Sequence, residues 1–222
     1  MTIAIIGVGS IGGALARHFV DGGEPVVLAA KDESRAASLA DELGPLARAT
    51  SVEDAIGGAD VVIFALWLDT LKELIPQYAG PLEDKLVVDP SNPIGLDESG
   101  QFVRTLPDDQ SAASIINALL PASADYVKAF GTLGADALAS GANREPRRAV
   151  LFYATDDEAA ALTIERLIRV AGFEPLKAGG FADVGRIEGP GGDLAQFGLE
   201  GKLLDLDEAR AAVAAVVPQQ HS

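Results

Sequence analysis

The chain has 222 residues, 48% of them hydrophobic and none of them cysteine, so it can bury one full core but excludes thiolate catalysis, cysteine zinc sites and disulfides. Only two histidines are present, which disfavours a Ser-His-Asp triad and leads us to expect no metal site. The formal net charge of −16 argues against nucleic acid and anionic membranes as partners. No apolar run reaches the roughly 20 residues of a membrane span, and no basic segment opens the chain, so we expect a cytoplasmic protein.

Short apolar runs alternate with helical patterns up to Pro90. This alternation is typical of βαβ units around a buried parallel sheet. We predict strands at residues 3–6, 25–30, 46–49, 61–66 and 86–89, and helices at 11–20, 34–43 and 68–78, with a brief helix opened by a capping box at 51–54. The predicted fold class is α/β, a doubly wound Rossmann-type parallel sheet.

A glycine motif lies between the first predicted strand and the first predicted helix. It fits G-x-G-x-x-G and reads Gly7-Val8-Gly9-Ser10-Ile11-Gly12. In such loops the first glycine makes the tight turn, the second admits a pyrophosphate and the third lets the helix pack on the sheet. The free N–H groups at the helix start favour negative charge. The motif in this context predicts a dinucleotide site, and a tight turn without a ligand is the less favoured interpretation.

The end of the second predicted strand selects between NAD and NADP. NAD enzymes place a carboxylate there for the ribose 2′-hydroxyl, whereas NADP enzymes place small and basic residues. Ala30 stands at that position, Lys31 follows, and Arg35 lies one helical turn further. We therefore favour NADP(H), with two alternatives open: Lys31 and Arg35 are ordinary solvated charges, and Asp32 is near enough to supply the missing carboxylate.

The pattern loosens after Pro90, where residues 90–107 form a predicted loop and residues 131–148 an irregular stretch. We predict helices at 111–120 and 158–171, strands at 126–130, 149–154 and 174–177, a glycine-rich stretch at 179–201 and a closing helix at 207–217. No composition break marks a linker. We expect one domain over 1–222, with a dinucleotide-binding core (1–120) and a small C-terminal extension of further strands and helices (121–222) that shapes the second-substrate site.

Taken in order, several segments resemble the NADPH-dependent deazaflavin (coenzyme F-420) reductase family, and they are also similar to the oxidoreductase domain of the STEAP metalloreductases. Besides the glycine motif, the similar segments are residues 29–35, 64–67, 87–93, 109–113 and 129–135. They cover roughly residues 1–185. The family implies hydride transfer between NADPH and coenzyme F-420, in a homodimer. We expect the second redox cofactor of this chain to be coenzyme F-420 or FMN. Such chemistry needs no catalytic side chain, because the cofactors carry it.

The resemblance also implies where the cofactor lies. Ala65, Leu66 and Trp67 would line the path from adenosine to nicotinamide, although Trp67 is equally compatible with a buried core aromatic. The nicotinamide would be framed by Ser91, Asn92 and Pro93, whose composition is also that of a plain turn. The mouth of the second-substrate site would be formed by Thr132, Leu133 and Gly134. His18 is expected to be a packing residue.

The chain departs from the family pattern at two places. A histidine that the family has near the position of Gly131 is absent, and Gly189-Pro190-Gly191-Gly192 interrupts a stretch where the family has a long apolar helix. Both departures concern the hydride acceptor rather than NADP. Two alternatives therefore remain beside transfer to a deazaflavin or flavin: reduction of a small organic substrate, and a non-catalytic dinucleotide-binding sensor.

Overall fold

The computed structural model describes residues 1–215, and its first half follows the predicted alternation closely. Eight short elements pack in sequence before the fifth strand begins. The elements are β1 (Ile3–Ile6), α1 (Ser10–Asp21), β2 (Val26–Ala29), α2 (Glu33–Leu43), β3 (Ala47–Ala49), α3 (Val52–Gly57), β4 (Val61–Phe64), α4 (Leu68–Leu74) with a 3₁₀ turn over Ile75–Tyr78, and β5 (Leu86–Asp89).

The second half adds a hairpin, three strands and four helices. The elements are β6 (Ile94–Leu96), β7 (Phe102–Arg104), α5 (Ala112–Leu119), β8 (Asp125–Ala129), α6 (Ala135–Ser140), β9 (Val150–Ala154), α7 (Glu158–Val170), β10 (Glu174–Gly179), a 3₁₀ helix over Phe181–Ile187, and α8 (Leu206–Ala214). The closing helix was predicted to reach residue 217, and its predicted end lies outside the described residues, as does His221.

Eight of the strands form one sheet in the order β10-β9-β8-β5-β4-β1-β2-β3. The six strands from β8 to β3 run parallel, whereas β9 pairs antiparallel to β8. β10 is again parallel to β9. The sheet is thus the doubly wound Rossmann-type sheet that the alternation predicted, extended at one edge by strands from the C-terminal half.

Different helices pack on the two faces of the sheet. On one face, α1, α2 and α7 cover alternate strand residues such as Ile5 and Leu28. On the other face, α3, α4 and α5 cover residues such as Ile6 and Phe64. Central strands buried on both faces need continuous apolar runs, which explains why β1 and β4 read Ile-Ala-Ile-Ile and Val-Val-Ile-Phe.

Two segments that were predicted to be irregular contain regular structure. The predicted loop 90–107 holds the antiparallel hairpin β6–β7, in which Leu96 pairs with Phe102. The predicted irregular stretch 131–148 holds α6. Both elements are very short, so their hydrophobic pattern does not repeat often enough to predict them. Within residues 1–215, none of the helices is both long and apolar enough to cross a membrane.

Candidate functional site

The residues predicted to bind a cofactor all follow the carboxyl ends of neighbouring strands. Five adjacent strands of the sheet run parallel, namely β2, β1, β4, β5 and β8. The loops that follow them therefore lie together at the edge formed by the carboxyl ends of the strands. Ligands of doubly wound folds bind at this edge. The fold therefore brings to one edge the glycine motif, Lys31, residues 65–67, residues 91–93 and residues 132–134.

The glycine loop has the geometry that its sequence predicts. Gly7 has a φ of +99°, a conformation that side-chain-bearing residues rarely adopt. A Cβ on Gly12 would overlap the carbonyl oxygen of Gly7, so only glycine lets α1 begin this close to β1. At Gly9, by contrast, a Cβ would meet no atom within 4 Å. Neighbouring atoms thus leave no room for a side chain at Gly7 and Gly12, whereas there is free space beside Gly9, where a pyrophosphate would approach the backbone.

A cavity of about 580 Å³ opens beside the glycine loop. It lies between α1, α2 and α6, and Val8, Gly9 and Ser10 form part of its wall together with Arg35 and Ser34. Arg17 also lines it, but its guanidinium is paired with Glu42. Of the predicted site residues, Val8, Gly9, Ser10 and Arg35 line this cavity, and the loops after β4 and β5 do not.

Asp32 caps the start of α2 with its carboxylate. Its carboxylate accepts hydrogen bonds from the backbone N–H of Ser34 at 3.1 Å and from the Ser34 hydroxyl at 2.6 Å. These bonds, the hydroxyl first, lower the pKa of Asp32. Lys31 and Arg35, on either side of this cap, are exposed. Two basic side chains are therefore exposed at the end of β2, where the 2′-substituent of a dinucleotide ribose lies.

The loop after β4 packs against the glycine loop. The backbone N–H of Ala65 donates to the carbonyl of Ile6 at 2.9 Å, and Leu66 reaches within van der Waals contact of Gly7. Trp67 stands at the start of α4 with 52% of its surface exposed. The interpretation of Trp67 as a buried core aromatic is therefore wrong, because the tight β4 turn directs it away from both hydrophobic layers.

The loop after β5 is tied to two distant segments by Asn92. Its amide nitrogen donates to the carbonyl of Gly131 at 2.8 Å, and its amide oxygen accepts from the backbone N–H of Gly189 at 2.9 Å. Gly131 could not carry a side chain, because a Cβ would overlap the carbonyl oxygen of Pro90. This close approach explains physically why no histidine stands at that position.

A buried charged network lies beneath the same loop, and no local sequence pattern indicates it. Lys128 on β8, 1% exposed, contacts Asp89 at 2.9 Å and Glu188 at 3.4 Å, and both carboxylates are fully buried. Lys128 also donates to the carbonyl of Ser91. The Tyr126 hydroxyl donates to Asp89 at 2.7 Å, and burial, reinforced by Asp89 and Glu188, raises the pKa of Tyr126 well above its ordinary value.

Glu188 joins this network to the start of α5. Its two carboxylate oxygens accept from the backbone N–H groups of Ala112 and Ala113 at 2.9 and 2.8 Å. A carboxylate is favoured there because the first N–H groups of a helix lack partners and carry partial positive charge. Within a sequence, isolated Asp, Lys and Glu residues in three distant segments give no periodic signal that they meet in the core.

The segment 188–201 covers the loop after β8. The Gln196 side chain accepts from the backbone N–H of Gly134 at 2.7 Å, and the Gln196 backbone N–H donates to the carbonyl of Thr132 at 2.8 Å. The glycine-rich sequence therefore replaces a helix by a series of turns that close against residues 132–134. Leu133 is buried beneath them.

Two hydroxyl groups at this end of the sheet lack a hydrogen-bond partner. Ser91 Oγ and Thr132 Oγ1 are both buried and make no hydrogen bond with the described residues. Unsatisfied buried polar atoms are rare in native proteins, and a ligand is one physical reason for them. Residues 1–215 hold no group of three or more His, Asp or Glu side chains placed to bind a metal ion.

His18 has a structural role. Its Nε2 lies 2.9 Å from the carbonyl oxygen of Leu138, and its ring packs edge-on against Phe173. It therefore fastens α1 to α6.

Comparison with known families identifies the first part of the chain. Residues 2–93 match the family model described as NADP oxidoreductase, coenzyme F420-dependent. This match spans β1 to the loop after β5, including the glycine motif, Lys31 and Ser91. A search of curated proteins returns no match.

Solved structures extend the similarity to nearly the whole chain. A hypothetical protein, SMa0349 from Sinorhizobium meliloti, is 30% identical, with a TM-score of 0.80 over 92% of this chain and 95% of that one. A putative F420-dependent NADP-reductase from Arthrobacter sp. FB24 is 21% identical, with a TM-score of 0.72 over 83% and 87%. A reductive aminase from Aspergillus terreus, in complex with NADPH4, cyclohexanone and allyl amine, is 20% identical, with a TM-score of 0.61 over 90% of this chain and 60% of that one.

The family match and the geometry agree on the class of activity, which is NADP-dependent oxidoreduction. The glycine loop, the exposed basic residues after β2 and the unpartnered hydroxyls fit a phosphorylated dinucleotide. The chain belongs to the same family as the Sinorhizobium protein, and its residues 2–93 match the model of the coenzyme F420-dependent NADP oxidoreductases.

Proposed function

We propose that the protein transfers a hydride between NADPH and a second redox cofactor, a deazaflavin such as coenzyme F-420 or a flavin such as FMN. The observation that carries this proposal is the state of the ionisable groups beneath the loops after β5 and β8. Asp89, Lys128 and Glu188 are buried and bonded to one another, and burial keeps Tyr126 protonated. Transfer between two cofactors needs positioning and exclusion of water but no acid or base from the protein.

The residues that hold NADP(H) in this proposal are those predicted from the sequence. The backbone of residues 7–12 receives the pyrophosphate, and Ala30 leaves room for the 2′-phosphate that Lys31 and Arg35 bind. Residues 65–67 line the path to the nicotinamide, which residues 91–93 and 132–134 enclose. NADPH supplies a hydride from its nicotinamide ring when bound. The unpartnered hydroxyls of Ser91 and Thr132 support this placement, because a carboxamide offers both a donor and an acceptor.

The test of the NADP assignment is the variant Lys31→Ala. We expect its preference for NADPH over NADH to fall about tenfold, because one charged contact to the 2′-phosphate is removed. Lys177→Ala is the matched control, since Lys177 is an exposed lysine on β10, at the opposite end of the sheet from β3. Binding constants for both dinucleotides give the answer, and an unchanged preference in Lys31→Ala would contradict the cofactor assignment.

The test of the acceptor is steady-state turnover of NADPH with coenzyme F-420, FMN and ferric chelates. Turnover with a deazaflavin or flavin supports the proposal. Turnover only with small carbonyl or imine compounds would favour the reduction of an organic substrate. NADPH binding without turnover of any acceptor would favour a dinucleotide-binding sensor.

We further propose that the protein works in the cytoplasm as a homodimer and that residues 121–222 shape the second-substrate site of a single domain spanning 1–222. The bonds of Gln196 to residues 132–134 support the role of the C-terminal part. For the dimer, Leu96 and Phe102 are cross-strand partners, each 59% exposed, and such apolar pairs are common at interfaces. Sedimentation of Phe102→Ser beside the wild type tests this surface.

A further inference from the structure

The buried network of Asp89, Lys128 and Glu188 carries an excess of negative charge. One ammonium group faces two carboxylates, so the formal sum is +1 − 2 = −1. The side chains of all three are at most 2% exposed, so water does not screen this charge. The N-terminus of α5, which Glu188 caps, offsets about half a charge. The network therefore remains negative.

The neighbouring cations do not neutralise this excess. Arg104, whose guanidinium binds the carbonyls of Gln110 and Pro190, lies 3.6 Å from Asp108. Arg186 is paired with Asp193 at 2.7 Å. Arg186 therefore has a carboxylate of its own, and Arg104 is held by main-chain carbonyls, so neither arginine is ion-paired with Asp89 or Glu188.

The network lies directly beneath the loop proposed to frame the nicotinamide. Asp89 is the last residue of β5 and accepts the backbone N–H of Ser91 at 2.7 Å, while Lys128 holds the carbonyl of Ser91. Both polar groups of the Ser91 backbone are thus fixed by the network. A nicotinamide ring bound on this loop would therefore lie close to the buried negative charge.

We infer that Asp89, Lys128 and Glu188 are positioning residues whose net negative charge favours the oxidised, cationic nicotinamide over the neutral reduced ring. This inference rests on the proposed function, since it requires the nicotinamide to lie at the loop 91–93. Reduced and oxidised NADP differ by one positive charge on the ring and share every other part. Their relative affinity therefore reports the electrostatics at the ring and cancels contributions from the adenosine and phosphate end.

The test is the ratio of dissociation constants, Kd(NADPH)/Kd(NADP⁺), in the wild type and in Glu188→Gln. The charge acts across a poorly hydrated interior, where its effect is much larger than in water. We expect the ratio to fall about tenfold in Glu188→Gln, because the network becomes formally neutral. Glu83→Gln is the matched control: it removes the same charge from an exposed residue before the start of β5, at the opposite edge of the sheet, and should leave the ratio unchanged.

Two further measurements test the inference if Glu188→Gln does not fold. Asp89→Asn removes one charge from the other end of the network and should shift the ratio in the same direction. In the wild type itself, NADP⁺ should bind more tightly than NADPH. Tight binding of both forms with an unchanged ratio in the folded variants overturns the inference alone, whereas failure of the wild type to bind either form overturns the proposed function with it.

Discussion

The two ends of the proposed cofactor site are built in different ways. The glycine loop after β1 is made of backbone groups within six consecutive residues, and its shape follows from Gly7 and Gly12. The nicotinamide end is made of side chains from β5, β8 and the segment 188–201, together with backbone N–H groups at the start of α5. One end is therefore local and the other is assembled from parts that lie up to 97 residues apart in the chain.

This difference predicts how each end responds to change. A local backbone turn fails when a side chain is forced into it, because the overlap involves atoms that cannot move away. An assembled network fails when one charge is removed, because the remaining partners stay buried without compensation. Each kind of failure can be tested by a substitution at the site beside the same type of substitution at a position where the structure predicts little effect.

The largest effect is expected for Lys128→Met, which leaves Asp89 and Glu188 buried without their ammonium partner. We expect a loss of about 3–5 kcal/mol in the free energy of unfolding. Lys72→Met is the control, because Lys72 contacts Asp69 at the same 2.9 Å but at the surface, where such a pair contributes less than about 1 kcal/mol. Urea unfolding measures both, and similar losses in the two variants would mean that burial does not govern the network.

A smaller loss is expected for Gly12→Ala, in which the new methyl group overlaps the carbonyl oxygen of Gly7. Overpacking against backbone costs about 1–3 kcal/mol, and the displaced loop should also bind NADPH much more weakly. At Gly13 a Cβ would lie 3.9 Å from the nearest atom, so Gly13→Ala should keep or slightly raise stability through its better helix propensity. Thermal unfolding and NADPH titration of both variants decide whether the close approach matters.

The smallest effect is expected for Asn92→Ala, which removes the bonds to Gly131 and Gly189 but leaves no buried charge unpaired. We expect a loss of about 1–2 kcal/mol in stability. Asn117→Ala, on the surface of α5, is the control. If Asn92 joins the two segments as the structure indicates, proteolysis within 188–201 should become faster in Asn92→Ala and not in Asn117→Ala.

The sequence predicted the core strands and helices well because their signals are local and repeated. β1 and β5 have the predicted bounds, α2 and α7 differ from theirs by one residue at one end, and α1 differs by one residue at each end. The hairpin β6–β7 and helix α6 were missed because each is too short to show a period. From the sequence, Trp67 could be assigned to the cofactor path or to the core, and its exposure in the structure excludes the core.

By itself, the sequence determined the parallel sheet, the glycine loop and the basic residues that follow β2. These features depend on hydrophobic period, on the conformational freedom of glycine and on residues close together in the chain. Only the tertiary structure decided that Asp89, Lys128 and Glu188 meet, that Asn92 joins three segments and that the turns of 188–201 close over residues 132–134. The physical reason is that burial and pairing of charges depend on contacts across strands, which no local pattern records.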